Sequence, residues 1–244
     1  MTISNTTSGT NVHEIAEGIY RINTPVAFPD GSDFSYNQYL IVDDEPMLFH
    51  TGHRKMFSLV QEAVASILPL HQLRYIGFSH VEGDECGALN EWLAVAPQAS
   101  PVCSQIAAMT SINDMADRPA RPLADGELLL LGQHSVRWFN APHLPHGWEC
   151  GYLLEEKTRT LLCGDLFTQP GKGEAAVTES DILAPSEAFR RAMDYFSHAP
   201  NSSEILGRLA ATQPQMLACM HGSAWQGDGA SLLRALARSL AQAN

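Results

Sequence analysis

The chain has 244 residues, of which 45% are hydrophobic, and this length is ample for a core in one large domain or two small ones. Lys and Arg number 15 against 27 Asp and Glu, so the formal net charge is −12; without a basic patch, nucleic acid and anionic membranes are excluded as expected partners. The sequence shows neither an apolar run of about 18 residues nor a secretory signal, so we expect a cytoplasmic protein.

The predicted elements, taken in chain order, indicate one α/β domain. Residues 1–11 are rich in Ser, Thr and Asn and predict a disordered tail, followed by a single domain over residues 12–244. In the first half, helical spacing predicts helices over 56–68, around 89–93 and over 103–115. Strands of the first half are predicted at 18–22, 37–42, 47–50, 73–79 and 100–103.

The second half repeats this order of strands before helices. Its strands are predicted at 127–131, 136–140, 151–155 and 160–163, and a late strand at 215–220 lies among three helical stretches. Two similar halves of this kind predict two mixed β-sheets packed together with helices outside, an αββα sandwich.

The five cysteines are too few and too irregular for a disulfide framework, and none forms a CxxC pair. The sequence therefore predicts free thiols and excludes zinc-ribbon and thioredoxin-like chemistry.

Ligand-type residues are concentrated in one segment directly after an apolar strand. Phe-Ser-His-Val-Glu-Gly-Asp-Glu-Cys-Gly at 78–87 supplies His80, Glu82, Asp84 and Glu85. Such side chains converge at the end of a strand, where ligands gather in α/β folds. Taken alone, Asp84 and Glu85 are explained equally well as a helix cap and a favourable charge at a helix N-terminus.

Three more strand ends carry residues of the same kind. A proline-braced loop contains His143 and His146, Asp165 follows a glycine after an apolar strand, and His221 follows another strand. Four such endings, with four carboxylates and with three histidines when one of His143 and His146 is counted, predict one shared metal site.

As a set, HxExDE…H…GD…H resembles the metal signature of the metallo-β-lactamase superfamily, whose fold is the αββα sandwich. Zinc hydrolases of that superfamily typically carry HxHxDH in the first segment. Glu82 replaces the second histidine here, as in the flavodiiron proteins and the related oxygen-binding diiron proteins.

The resemblance implies seven ligands for two irons: His80, Glu82 and His146 on one, Asp84, Glu85 and His221 on the other, and Asp165 bridging both. Position 85 is usually His in this pattern. Two roles for Glu85 therefore stay open, as a ligand of the second iron or as a residue that favours a helix N-terminus. His143 competes with His146, and the spacing of 19 positions from His146 to Asp165 favours His146.

The donor set agrees with iron. Carboxylates and imidazoles without a thiolate suit Fe or Mn better than structural zinc, and Zn or Mn remain alternatives to two iron ions. Two divalent ions and four carboxylates also balance in charge, which lowers the cost of burying the cluster.

The resemblance implies that the site binds O2 or NO, and both its reduction and binding without rapid turnover stay open. Flavodiiron proteins continue into a flavodoxin-like FMN domain, and this sequence shows no such module or phosphate-cradling loop. We therefore expect an external electron donor. There are two alternatives, a dinuclear hydrolase and a non-enzymatic oxygen sensor that signals to a partner protein. A homo-oligomer is compatible with each of these functions.

Overall fold

Apolar strands form two mixed β-sheets in the computed structural model, which describes residues 2–243. The first sheet has eight strands in chain order within that range, antiparallel from β1 to β5 and parallel from β5 to β8. They are β1 (Thr2–Asn5), β2 (Thr10–Ala16), β3 (Ile19–Ala27), β4 (Asp33–Ile41), β5 (Met47–Phe49), β6 (Tyr75–Gly77), β7 (Ser100–Ser104) and β8 (Arg121–Leu123).

The second sheet contains seven strands of the described residues and is also mixed. They are β9 (Leu128–Leu130), β10 (Ser135–Asn140), β11 (Gly151–Glu155), β12 (Thr160–Leu162), β13 (Val177–Thr178), β14 (Met216–Ala218) and β15 (Ala224–Gln226). Their spatial order is β13-β15-β14-β12-β11-β10-β9, and β12 runs parallel to β14. These two neighbouring strands therefore end at the same edge of the sheet.

Helices cover both outer faces, so the predicted αββα sandwich is confirmed. They are α1 (Phe57–Ala65), α2 (Gly83–Cys86), α3 (Leu89–Val95), α4 (Gln105–Ala107), α5 (Asn113–Met115), α6 (Leu183–Met193), α7 (Ser202–Ala211) and α8 (Gly229–Ala243), with a π-turn at Ala108–Ile112 and 3₁₀ turns at Arg54–Met56 and Leu70–Gln72. Among the helices of residues 2–243, none has the length and apolarity that a bilayer crossing requires.

The core has three layers that follow from this arrangement. Buried side chains such as Tyr39 and Phe49 of the first sheet pack against Trp138 and Leu162 of the second, between the sheets. Two further clusters lie under the helices on the outer faces. All five cysteines are free and buried, as the sequence predicts.

The N-terminal residues differ from the prediction. Residues 2–11 are not a disordered tail: β1 and β2 form an antiparallel hairpin, in which Thr2 lies opposite Val12. The side chain of Asn5 accepts a hydrogen bond from the backbone N–H of Ser8 at 3.0 Å and so closes the turn. These residues are polar because β1 is an edge strand: backbone hydrogen bonds to β2, rather than buried apolar side chains, hold it in place. Met1 lies outside the described residues.

Candidate metal centre

Strand ends from both sheets meet at one edge of the sandwich and carry the predicted ligands. His80 follows β6 of the first sheet, while Asp165 follows β12 and His221 follows β14 of the second. His146 lies in the loop between β10 and β11. The parallel pairing of β12 with β14 explains why Asp165 and His221 lie side by side.

One group of donor atoms forms around His80. Its Nε2 atom lies 2.8 Å from Glu82 Oε2 and 2.8 Å from His146 Nε2, and the latter lies 3.1 Å from the same Glu82 oxygen. Asp165 Oδ2 is 3.8 Å from the His80 nitrogen and 3.7 Å from the His146 nitrogen. These four residues have donor atoms within 4.8 Å of one another, the spacing of a metal-binding group.

A second group adjoins the first through Asp165. Its other oxygen, Oδ1, lies 3.2 Å from His221 Nε2, which in turn lies 3.5 Å from Asp84 Oδ2. The two oxygens of Asp165 therefore face different groups of donors. This is the arrangement of a carboxylate that bridges two cations.

Hydrogen bonds to the Nδ1 atoms fix which nitrogen of two histidines faces the cluster. His146 Nδ1 donates to the carbonyl of Tyr195 and His221 Nδ1 donates to the carbonyl of Ser35, each at 2.9 Å. A carbonyl only accepts, so both Nδ1 atoms carry the proton. In the neutral ring, Nε2 then has no proton, and its lone pair faces the cluster. A histidine that binds a metal through Nε2 has the same tautomer.

Two features test whether this cluster fits a metal. Asp165 Oδ1 is buried and has no hydrogen-bond partner, which is costly unless a cation satisfies it. Bare imidazole nitrogens of His80 and His146 at 2.8 Å would repel each other, whereas two ligands bound about 2.1 Å from one metal ion approach this closely. The residues present therefore fit divalent metal ions with nitrogen and oxygen ligands.

The pKa shifts have the same electrostatic origin. Burial, reinforced by the negative charge of Asp165, raises the pKa of Asp84 to about 7. Hydrogen bonds from His146 and His80 hold the pKa of Glu82 well below its usual range. Burial lowers the pKa of His221, but the adjacent carboxylate of Asp165 outweighs this effect and raises the pKa overall. The cluster thus concentrates negative charge that positive charge must balance.

Glu85 is not brought together with the other six predicted ligands. Its two oxygens accept hydrogen bonds from the hydroxyl of Ser79 at 2.6 and 2.7 Å, and from the backbone N–H groups of Ser79 and His80. The side chain lies behind His80, fully buried, on the side away from the cluster. The placement differs from the expected ligand role because successive residues of a helix point about 100° apart. On α2, Asp84 faces the cluster and Glu85 does not.

Three other histidines near the metal-site loops lie outside the cluster. His143 is exposed, whereas His146 reaches the cluster in the same loop. His50 is fully buried, with Nε2 at 3.4 Å from Glu85 Oε1, and His53 packs edge-on against the Tyr36 ring.

Other residues that shape the site were missed by reasoning from the sequence. The carbonyls of Tyr195 and Ser35 orient two histidines, but every residue has a carbonyl, so no side-chain pattern signals this role. Gly164 has φ of +49°, and a Cβ there would lie 2.5 Å from the hydroxyl of Ser79. This glycine lets the Asp165 loop approach the His80 loop.

A small pocket of about 140 Å³ opens onto the cluster. Aromatic side chains narrow it: the Phe34 ring centroid is 4.4 Å from that of His221, and the Phe189 ring stacks on Phe34 at 5.7 Å. Its lining consists of Phe34, Glu82, Asp84, His146, Asp165, Thr168, Phe189, Tyr195 and His221.

Comparison with known proteins gives relatives that share this domain. Diflavin flavoprotein A 1 of Nostoc sp. is 29% identical over 178 residues, 72% of this chain and 30% of that protein. The anaerobic nitric oxide reductase flavorubredoxin of Salmonella arizonae is 27% identical over 79% of this chain and 42% of that protein. The rubredoxin-oxygen oxidoreductase of Megalodesulfovibrio gigas is 25% identical over 79% of this chain and 50% of that protein. The chain thus spans between 30% and 50% of the length of these relatives.

The fold is also found in solved structures. The flavodiiron protein from Giardia intestinalis superimposes with a TM-score of 0.80 at 19% identity, over 96% of this chain and 60% of that one. The sequence profile described as ODP family beta lactamase matches residues 34–222, which include all seven predicted ligands. The chain therefore belongs to the ODP beta-lactamase family, and its fold is that of the metallo-β-lactamase-like domain of flavodiiron proteins.

Proposed function

We propose that this chain is a non-heme diiron protein that binds O2 or NO and takes part in its reduction. In this proposal, six residues hold the two irons: His80, Glu82 and His146 the first, Asp84 and His221 the second, and Asp165 both. The observation that carries it is Asp165, whose oxygens face two separate histidine groups and whose buried Oδ1 has no partner.

The donor set supports iron or manganese over structural zinc. Three imidazoles and three carboxylates form a hard nitrogen and oxygen environment without thiolate, which suits iron or manganese better than structural zinc. When bound, a pair of ferrous ions supplies electrons and adjacent coordination positions to a diatomic ligand.

The size of the opening supports a diatomic ligand. A pocket of about 140 Å³ is smaller than the roughly 300–1,000 Å³ of ordinary small-molecule sites. The rings of Phe34 and Phe189 supply an apolar part of its wall. Against a hydrolase acting on an ester or lactam, the carboxylate of Glu82 would lower the Lewis acidity of the metals.

Relatives suggest the reaction class. Two of them are named for nitric oxide reduction and for oxidoreduction between rubredoxin and oxygen. By analogy, we propose that an external electron-transfer partner supplies the electrons to this chain.

The proposal is tested by metal analysis and gas reactivity of the full chain. After iron-replete expression we expect close to two irons per chain and a Mössbauer spectrum of a coupled ferric pair. The anaerobically reduced protein should change its optical spectrum on addition of O2 or NO. Zinc alone, together with turnover of ester or lactam substrates, would support the hydrolase instead. Ligand binding without sustained O2 or NO consumption in the presence of a chemical reductant would favour a sensor.

A further inference from the structure

The carboxylate of Glu85 is the most heavily bonded acid near the metal centre. Its Oε2 atom accepts the backbone N–H groups of Ser79 at 2.9 Å and of His80 at 2.8 Å, and the Ser79 hydroxyl donates to Oε1 at 2.6 Å. Oε1 also lies 3.2 Å from His80 Nδ1 and 3.4 Å from His50 Nε2. No part of Glu85 is exposed. The side chain is therefore fixed in a position where it faces the back of the His80 ring.

This position distinguishes His80 from the other two histidines of the cluster. His146 and His221 direct Nδ1 to neutral backbone carbonyls, whereas the Nδ1 of His80 lies 3.1 Å from the Ser79 hydroxyl oxygen and 3.2 Å from the negatively charged Glu85 carboxylate. A carboxylate behind a ligating imidazole fixes the tautomer and ring orientation and makes the other nitrogen a stronger donor. Glu85 thus strengthens the donor on the first metal only.

The number of available donors points the same way. His80, Glu82, His146 and Asp165 surround the first position, and their donor atoms form one compact group. The second position has Asp84, Asp165 and His221, because the direction of α2 turns Glu85 away. One position is therefore better supplied with ligands than the other.

We propose that Glu85 is a positioning residue that orients His80, and that the two metal positions are consequently unequal, the first binding a divalent cation at least tenfold more tightly than the second. This inference rests on the proposed dinuclear centre. It also accounts for the charge of the site, because Glu85 supplies a fourth carboxylate close to two divalent ions without ligating either.

Zinc titration of the metal-free full chain, followed by calorimetry and elemental analysis, measures both steps. The wild type should bind two zinc ions in separate steps that differ at least tenfold in affinity. Glu85→Gln should weaken the first step by about 10- to 100-fold, the usual effect of removing a carboxylate behind a ligating histidine. The second step should change less.

Glu155 offers a matched control remote from the cluster. It is also fully buried, and it accepts His134 Nδ1 at 2.9 Å and the backbone N–H groups of Lys157 and Thr158. Glu155→Gln removes a similar His–Glu pair and should leave both zinc steps unchanged. Any common effect of losing a buried carboxylate is thereby separated from the effect on the metal.

A spectroscopic readout separates positioning from general stability. In the diamagnetic zinc-loaded protein, the proton on His80 Nδ1 should resonate downfield in the NMR spectrum, and Glu85→Gln should move it upfield. Glu85→Asp keeps the charge but shortens the side chain by one methylene and so withdraws the carboxylate from His80 Nδ1. It serves if Glu85→Gln does not fold; a smaller upfield shift and a weaker first step are expected.

Distinct outcomes overturn the inference. Two zinc steps of equal affinity would refute the inequality and leave the dinuclear centre standing. Loss of only the second step in Glu85→Gln would make Glu85 a partner of the second metal. An unmoved His80 resonance in Glu85→Gln or Glu85→Asp would refute positioning, and a wild type that binds no zinc would refute the proposed centre itself.

Discussion

Asp165→Asn is the sharpest single test of the dinuclear arrangement. Asparagine has nearly the same shape as aspartate, so the substitution removes the charge without leaving a cavity. One carboxylate oxygen lies 3.7 Å from His146 Nε2 and 3.8 Å from His80 Nε2, and the other lies 3.2 Å from His221 Nε2. The loss of charge is therefore felt at both metal positions at once.

The expected magnitude follows from Coulomb's law. A negative charge about 4 Å from one positive charge contributes about 4 kcal/mol at an effective dielectric constant of about 20, and 1.4 kcal/mol is a tenfold change in affinity. Since Asp165 faces two dications, we expect the substitution to weaken binding of the pair by at least about 1,000-fold. Neither metal should survive dialysis against a chelator that leaves the wild type loaded.

Elemental analysis after that dialysis, with calorimetric titration, provides the assay. Asp228→Asn is the control, because Asp228 accepts hydrogen bonds from the backbone and hydroxyl of Ser231 at the start of α8, away from the cluster. It should retain both metals. Retention of both at wild-type affinity in Asp165→Asn would show that Asp165 does not bridge.

Three further predictions concern the loop histidines, an ion pair and the metals themselves. His146→Ala should remove or disorder the first metal, while His143→Ala should leave it bound, as metal analysis of each variant will show. Although burial raises the pKa of Glu187, hydrogen bonds from Arg190 and a serine lower it overall. Glu187→Gln should therefore reduce the unfolding free energy at pH 7 by about 3 kcal/mol. Denaturation curves of the variant and the wild type should show that this difference becomes smaller as the pH falls below about 4. Saturating metal should raise the thermal midpoint, since a ligand at 1,000 times its dissociation constant adds about 4 kcal/mol; an unchanged midpoint would contradict specific binding to the folded chain.

The ends of the strands could be predicted because two patterns coincide there. Apolar runs fix where β6, β12 and β14 end, and the first polar ligand-type residues after them are His80, Asp165 and His221. The residues that directly follow a strand have little conformational freedom. Their positions in the sequence therefore predict much of their positions in space. This is why six of the predicted ligands are found in one cluster.

The direction of Glu85 could not be read in the same way. Adjacent acids at 84 and 85 look equivalent in a sequence, but a single helical turn sends them to different sides. The acceptor of His221 was equally hidden, because Ser35 lies 186 positions away and contributes only its carbonyl. The hairpin of β1 and β2 was missed because backbone pairing, and not side-chain composition, holds this edge strand.

The proposed metal positions each require both sheets. The β6 loop of the first sheet supplies His80, Glu82 and Asp84, while the second sheet supplies the other donors. Neither sheet alone contains a complete set of ligands for either metal, so metal binding is coupled to packing of one sheet on the other.

The contacts between the sheets therefore set the spacing of the ligands as well as the stability of the core. On β4, the side chains of Asn37 and Tyr39 both donate to the carbonyl of Cys219, at 2.9 and 2.6 Å, two residues before His221. The first sheet thus holds directly the loop that carries a donor of the second sheet. Because these contacts are buried and short and lie only two residues from His221, a shift of one sheet relative to the other would also move the His221 nitrogen. The apolar interface between the sheets and the polar cluster at its edge are in this sense one structural unit.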